Sequence, residues 1–283
     1  MKKKNKERNL NLGIAEIIIS LISDDNNGGF YVDDVYKGFI SDGVPEVTLR
    51  AHWGGNPQYD SGKEAFDSGI TWRLLQKNKK IILKTISRTA VLQSDFKAGD
   101  IHVPKEGAGK RFPFPLNYPL SEVLMINLLS KGRGAMVHGC GVDDSGDGYL
   151  FLGNSTHGKS TIAKLWSKNQ ATVLNDDKVI IREKDGEFWM YGTPWHGELK
   201  EVSPQGLLIQ KIFFLRHGEK NSAVQKNGAE AATMLIARCF PAFWDKKGMD
   251  YTLGLCQRLV SKIPCYELKF VPNREIFNFV RNV

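Results

Sequence analysis

The run Gly153-Asn154-Ser155-Thr156-His157-Gly158-Lys159-Ser160 constrains this chain more than any other segment. It fits the pattern Gly, four residues, Gly-Lys-Ser, in which successive backbone N–H groups turn inward as an anion nest and lead into a helix N-terminus. In that pattern the lysine reaches the outer phosphates and the serine hydroxyl ligates Mg²⁺. Residues 148–152, Gly-Tyr-Leu-Phe-Leu, read as a buried strand, and residues 161–166 read as a helix with Ile162, Leu165 and Trp166 on one face. Strand, glycine loop and helix together predict a nucleoside triphosphate site running from Gly153 through Thr161. The competing reading is a glycine turn that only resembles a cradle.

Asp176 and Asp177 follow the lysine by 17 and 18 residues. A helix from Ser160 to about Asn169 retreats roughly 15 Å from the loop, and the strand-like run 171–175 returns roughly 16 Å. A right-handed strand–helix–strand crossover then delivers both carboxylates beside the phosphate cradle. Two carboxylates there can divide the work, one holding Mg²⁺ and the other accepting a proton from, or orienting, an attacking hydroxyl. Asn175-Asp176-Asp177 is also good turn material, so an Asx-type turn is the plain alternative.

Upstream, residues 134–138 and 149–153 flank a run of turn formers, 141–148, that reads as a hairpin connection. A hairpin centred near Ser145 sets His138 across from about Leu152, close to the loop. Arg216-His217 follow an apolar strand, 211–215, and read as a solvated strand end, although a cation there can also serve a transferring phosphate.

These motifs resemble a family. His138-Gly139, the glycine loop and Leu174-Asn175-Asp176-Asp177 are similar to the catalytic core of the bacterial HPr kinase/phosphorylases, whose phosphate-loop fold is shared with phosphoenolpyruvate carboxykinases. The chain looks closer still to HPr-kinase-like proteins that lack the N-terminal domain of those enzymes, some of them associated with peptide-modification gene clusters. Gly192-Thr193-Pro194-Trp195-His196-Gly197-Glu198 resembles a segment of that group. The likeness is good from about Gly132 onward and loose before it. Thr156-His157 depart from the glycine and small residue usual in HPr kinases, and the segment used for reverse phosphorolysis is not recognisable.

The resemblance implies an α/β fold with a mixed central sheet and flanking helices, preceded by a β-rich N-terminal region. It implies an ATP- and Mg²⁺-dependent kinase that phosphorylates a serine on a small protein or peptide. By position, Asp176 resembles the acid/base carboxylate, Ser160 and Asp177 the metal-side ligands, His138 an active-site histidine and Lys159 the phosphate lysine. Glu198 and His196 fall in the substrate-side segment, where Trp195 either stacks on a ligand or packs on its own domain. Two other readings are a nucleotide-gated peptide-binding module without catalysis and a carboxykinase-like enzyme acting on a small metabolite.

Composition bounds the rest. With 283 residues, 41% hydrophobic and 25% charged, the chain can bury a sizeable core. Half of the net charge of +8 comes from residues 1–9, where four Lys and one Arg face one Glu. That concentration in a tail, set at residues 1–12 and expected to be disordered, argues against a nucleic-acid-binding face. Glu16 interrupts the apolar run 14–22, so it reads as a strand or short helix and not as an export signal. No run approaches the 18 apolar residues of a membrane span. Four cysteines without a Cys-x-x-Cys pair suggest reduced thiols and a cytoplasmic protein, and a homo-oligomer is compatible with the pattern. The expected organisation is a tail, a β-rich region over 13–115 and a catalytic domain over 116–283.

Overall fold

A computed structural model describes residues 8–24, 29–54, 62–104 and 113–283. The chain forms two compact units, Met1–Leu128 and Leu129–Val283. The division falls after the expected boundary at 115, and part of the stretch expected to contain it, 105–112, lies outside the described residues.

The first unit is an eight-stranded mixed sheet. Its strands are β1 (Asn9–Ile14), β2 (Ile17–Ser23), β3 (Val47–Trp53), β4 (Lys63–Asp67), β5 (Trp72–Lys77), β6 (Lys80–Thr85), β7 (Thr89–Gln93) and β8 (Ala98–Val103). Their order is β1-β2-β3-β8-β7-β6-β5-β4, with β2, β3 and β8 parallel and the other neighbours antiparallel. Two expectations are corrected here. The run 14–22 is not one element, because Ala15 and Glu16 take positive φ (49° and 60°) and turn β1 into β2 as a tight hairpin. The tail set at 1–12 overlaps β1, which begins at Asn9 because Leu10, Leu12 and Ile14 alternate into the core; residues 1–7 lie outside the described residues. The predicted hairpin after Trp72 forms, with its turn tightened to Asn78-Lys79.

The helix predicted from Pro119 is α1 (Leu120–Leu129). The second unit holds β9 (Ala135–Asp144), β10 (Asp147–Leu152), α2 (Lys159–Ser167), β11 (Thr172–Asn175), β12 (Lys178–Lys184), β13 (Glu187–Tyr191) and β14 (Gly206–Leu208). It continues with β15 (Lys211–His217), β16 (Ser222–Lys226), α3 (Gly228–Ile236), α4 (Lys246–Lys262), β17 (Cys265–Phe270) and α5 (Glu275–Asn282). Its nine-stranded mixed sheet runs β14-β13-β12-β9-β10-β15-β17-β16, with β11 also paired to β9.

Both faces of the central strands are covered, which is why these strands read as continuous apolar runs. Along β15, Ile212 and Phe214 join Leu235 of α3 and Leu255 and Leu259 of α4. Phe213 and Leu215 point the other way, to Ile162 and Trp166 of α2 and to Ile276 and Phe277 of α5. The molecule is thus mixed α/β, with two mixed sheets and few helices.

The crossover after the loop differs from the expected one. β11 does not lie beside β10, since β9 sits between them and pairs antiparallel with both. β11 and β12 run along β9 as one interrupted strand, Thr172 opposite Asp143 and Lys178 opposite His138. Asp176 and Asp177 occupy the interruption. The turn formers 141–148 also resolve differently, because 141–144 continue β9 and only Ser145-Gly146 turn, both at positive φ.

Candidate active site

The glycine loop connects β10 to α2. Gly158 takes φ +93°, and a Cβ there meets the Phe270 ring at 2.8 Å, so glycine is required for conformation and for space. The amides of Ser155, Thr156 and Gly158 find no acceptor among the described residues, and the first N–H groups of α2 have no intrahelical partner by construction. Lys159, 6% exposed, folds back so that Nζ donates to the carbonyls of Gly153 (2.9 Å) and Asn154 (3.0 Å). Burial lowers its pKa, opposed by the negative charges of Asp177 and Asp176 and by Cys140.

Asp176 and Asp177 have opposite environments despite being neighbours. Asp176 is 1% exposed, and its carboxylate accepts the amides of Gly197 (2.7 Å), Glu198 (2.9 Å) and Leu199 (3.2 Å). Gly197 permits this, because a Cβ there stands 3.0 Å from both carboxylate oxygens. Asp177 instead lies between two basic side chains, with His138 Nε2 at 3.0 Å and Lys178 Nζ at 2.6 Å. Burial pushes its carboxyl up, but hydrogen bonds from His138 and Lys178, together with their charges, outweigh this and hold it well below the usual carboxylate range.

Asn175 sets this split. Its side-chain oxygen accepts the amides of Asp177 (2.7 Å) and Lys178 (2.8 Å), an Asx turn that breaks the strand. Its amide donates to the carbonyls of Thr193 (2.9 Å) and Trp195 (3.1 Å), tying the break to the following loop. The Asx turn read from 175–177 is therefore present, and both aspartates of the turn line the cleft beside the glycine loop.

These groups line one cleft of about 310 Å³. From the loop and α2 come Ser155, Thr156, Gly158, Lys159, Ser160 and Thr161; His138, Asp176, Asp177, Gly197 and Glu198 complete it. The hairpin register pairs Gly139 with Leu152, one residue from the expected pairing of His138, and so carries His138 to the loop. Gly153, Asn154 and His157 shape the loop from outside the cleft: the first two give their carbonyls to Lys159, and His157 Nδ1 receives the Asn154 amide at 3.3 Å. Among the described residues no group of three or more His, Cys, Asp or Glu is arranged to hold a metal ion by itself. A larger hollow of about 730 Å³ beside α5 holds none of the predicted site residues.

The substrate-side segment fares unevenly. Glu198 reaches the cleft but pairs with Lys164 of α2 at 2.5 Å. His196 does not line the cleft, and its Nδ1 lies 2.9 Å from the Gly197 carbonyl. Trp195 is 7% exposed, so it packs within the unit and is not a stacking platform. Arg216 pairs with Glu267. The contacts of Lys178 with Asp177 and of the amides of residues 197–199 with Asp176 are absent from the sequence reading; a glycine two residues after Trp195 is the local signal for the second.

No protein-family model matches this chain, and no curated protein does. Among solved structures, the chain is similar to the Hpr(Ser) kinase/phosphatase from Coxiella burnetii, at 11% identity and a TM-score of 0.32. That match covers 52% of this chain and 94% of the other. No helix among the described residues is long and apolar enough to cross a membrane.

Proposed function

We propose that the second unit is a phosphate-loop kinase that transfers the γ-phosphoryl group of ATP to a hydroxyl, a serine on a small protein or peptide. The observation that carries this reading is the gathering, in one cleft, of unengaged loop amides, a buried lysine and two carboxylates in unlike environments. The residues suit a nucleotide with its metal. The loop amides and Lys159 offer donors to phosphates, and Mg²⁺ arriving with phosphates needs only one or two protein ligands, for which Ser160 and Asp177 stand in the cleft. Mg²⁺ in such a site neutralises charge on the phosphates.

The acceptor oxygen forms its bond to the γ-phosphorus as the bond to the bridging oxygen of ADP breaks, and the hydroxyl proton leaves to a carboxylate. Asp176 has three of its roughly four acceptor positions filled by backbone amides. The remaining one receives the acceptor hydroxyl, and the amides keep the carboxylate from turning away. Asp177, holding His138 and Lys178, keeps both side chains beside the phosphates. Positioning and charge neutralisation carry most of the rate in such transfers.

Asp176→Asn tests the assignment. ATP affinity should stay within a few-fold of wild type while transfer of labelled phosphate to hydroxyl-bearing peptides falls roughly 10²–10⁴-fold. Wild-type transfer by the variant would remove Asp176 from the chemistry. Tight ATP binding by the wild type with no labelled acceptor would favour the nucleotide-gated binding module, in which the amide grip on Asp176 couples the loop 197–199 to the nucleotide.

A further inference from the structure

A second group of basic side chains gathers at the glycine loop and does not line the cleft. Arg216 lies two residues beyond Phe214 on β15 and so shares its face of the sheet. Arg238, just after α3, places its guanidinium 5.9 Å from the centre of the same Phe214 ring. His157 and His217 meet edge to face at 6.1 Å. Neither arginine lines the cleft that holds Lys159.

Arg238 is the informative member. It is 8% exposed; one Nη donates to the Met234 carbonyl (2.8 Å), while its buried Nε has no hydrogen-bond partner among the described residues. A buried guanidinium nitrogen without an acceptor is costly, and proteins retain few of them without reason. Burial and the charge of Arg216 both lower the pKa of Arg238, with Glu267 opposing; Glu267 is already in contact with Arg216 (3.3 Å). His157 is lowered too, by burial first and then by Arg216, Arg238, His217 and Lys159. Two arginines thus share this corner with Glu267, which is already engaged by Arg216.

We propose that Arg216, Arg238, His157 and His217 form a second oxyanion site beside the loop, which takes a phosphate or carboxylate group of the acceptor chain. The backbone carbonyl of Arg238 accepts the His138 amide at 2.7 Å, and Cys239 bridges to Val137, so the arginine is fastened to the strand that carries His138 into the cleft. Because neither arginine lines the cleft, an anion held there is apart from the phosphates that Lys159 and the loop amides would take. Arginine suits it because its planar fork binds such groups through paired hydrogen bonds. The word acceptor rests on the kinase reading; the anion site itself does not.

The probe is inorganic phosphate, titrated by calorimetry into full-length Lys159→Ala protein, where the loop's own phosphate site is weakened. Phosphate should still bind, at least tenfold more weakly once Arg216→Gln or Arg238→Met is added, and tetra-aspartate should displace it while tetra-asparagine does not. Arg216 is at the surface, so its variant answers even if Arg238→Met fails to fold. Phosphate binding that is absent, or indifferent to Arg216→Gln, overturns the site. Phosphate binding that depends on Arg216 but resists tetra-aspartate overturns the acceptor assignment in favour of a site for free phosphate. None of these titrations contains nucleotide, so a failure of the kinase reading would be seen separately, in ATP binding.

Discussion

Each unit has three parallel strands whose C-terminal ends collect titratable side chains, and the two collections behave differently. In the first unit β2, β3 and β8 bring together Asp24, His52, Asp100 and His102. His52 spans both carboxylates, Nδ1 to Asp24 at 2.9 Å and Nε2 to Asp100 at 2.8 Å, and His102 stacks on it at 4.9 Å. Those groups largely satisfy one another. In the second unit β10, β15 and β17 end at the glycine loop, at Arg216-His217 and at Phe270, with Asp176 and Asp177 reached through β11. There the loop leaves amides unengaged and Lys159 turned onto its own carbonyls. Ligands in open α/β sheets bind outside the carboxyl ends of parallel strands. The two ends differ in that donors exceed internal acceptors at the glycine loop, whereas around His52 they are matched.

The amide grip on Asp176 should be the most sensitive point of that surplus. Gly197→Val puts a branched side chain where even a Cβ stands 3.0 Å from both carboxylate oxygens. Phosphoryl transfer should fall at least a hundredfold, and urea unfolding should show a loss of about 1–3 kcal/mol, the scale of a buried charged group losing its hydrogen bonds. Unchanged stability and transfer would mean that the grip contributes nothing.

A smaller effect is expected at Asp177. Its pKa is depressed in the folded state, so its stabilising contribution is fully present above the ordinary carboxyl value near 3.9 and is lost as pH falls below it. Asp177→Asn should cost about 1–3 kcal/mol near neutral pH and flatten the loss of stability between about pH 4 and lower pH. The same variant should raise the Mg²⁺ concentration needed for transfer. An acid-unfolding profile and Mg²⁺ dependence like those of wild type would leave Asp177 a turn residue.

The site was legible where its chemistry is local. The loop reads directly because its amides, lysine and helix start are consecutive, and the spacing to Asp176-Asp177 reads because helix and strand rises are fixed. His138 was reachable through a hairpin count, to within one residue. What stayed hidden depends on distant pairing. Nothing near Asp176 announces three amides from 197–199, and nothing near Arg238 announces Phe214 or Arg216. The insertion of β9 between β10 and β11 was also unreadable, since an apolar strand carries no label for its neighbour. The run Ile14–Ile22 reads as a single element because Ala15-Glu16 is an uncommon pair for a tight turn at positive φ.

The glycine loop, and not the histidine cluster of the first unit, should bind nucleotide. Fluorescent-ATP titration with Mg²⁺ compares Lys159→Ala with His52→Gln. Loss of one charge-assisted contact, about 1.5–3 kcal/mol, should weaken binding roughly ten- to a hundredfold in Lys159→Ala, whereas His52→Gln should stay within about twofold of wild type. A folded Lys159→Ala protein that binds ATP as tightly as wild type, or a loss just as large in His52→Gln, would mean that the glycine loop is not the nucleotide site.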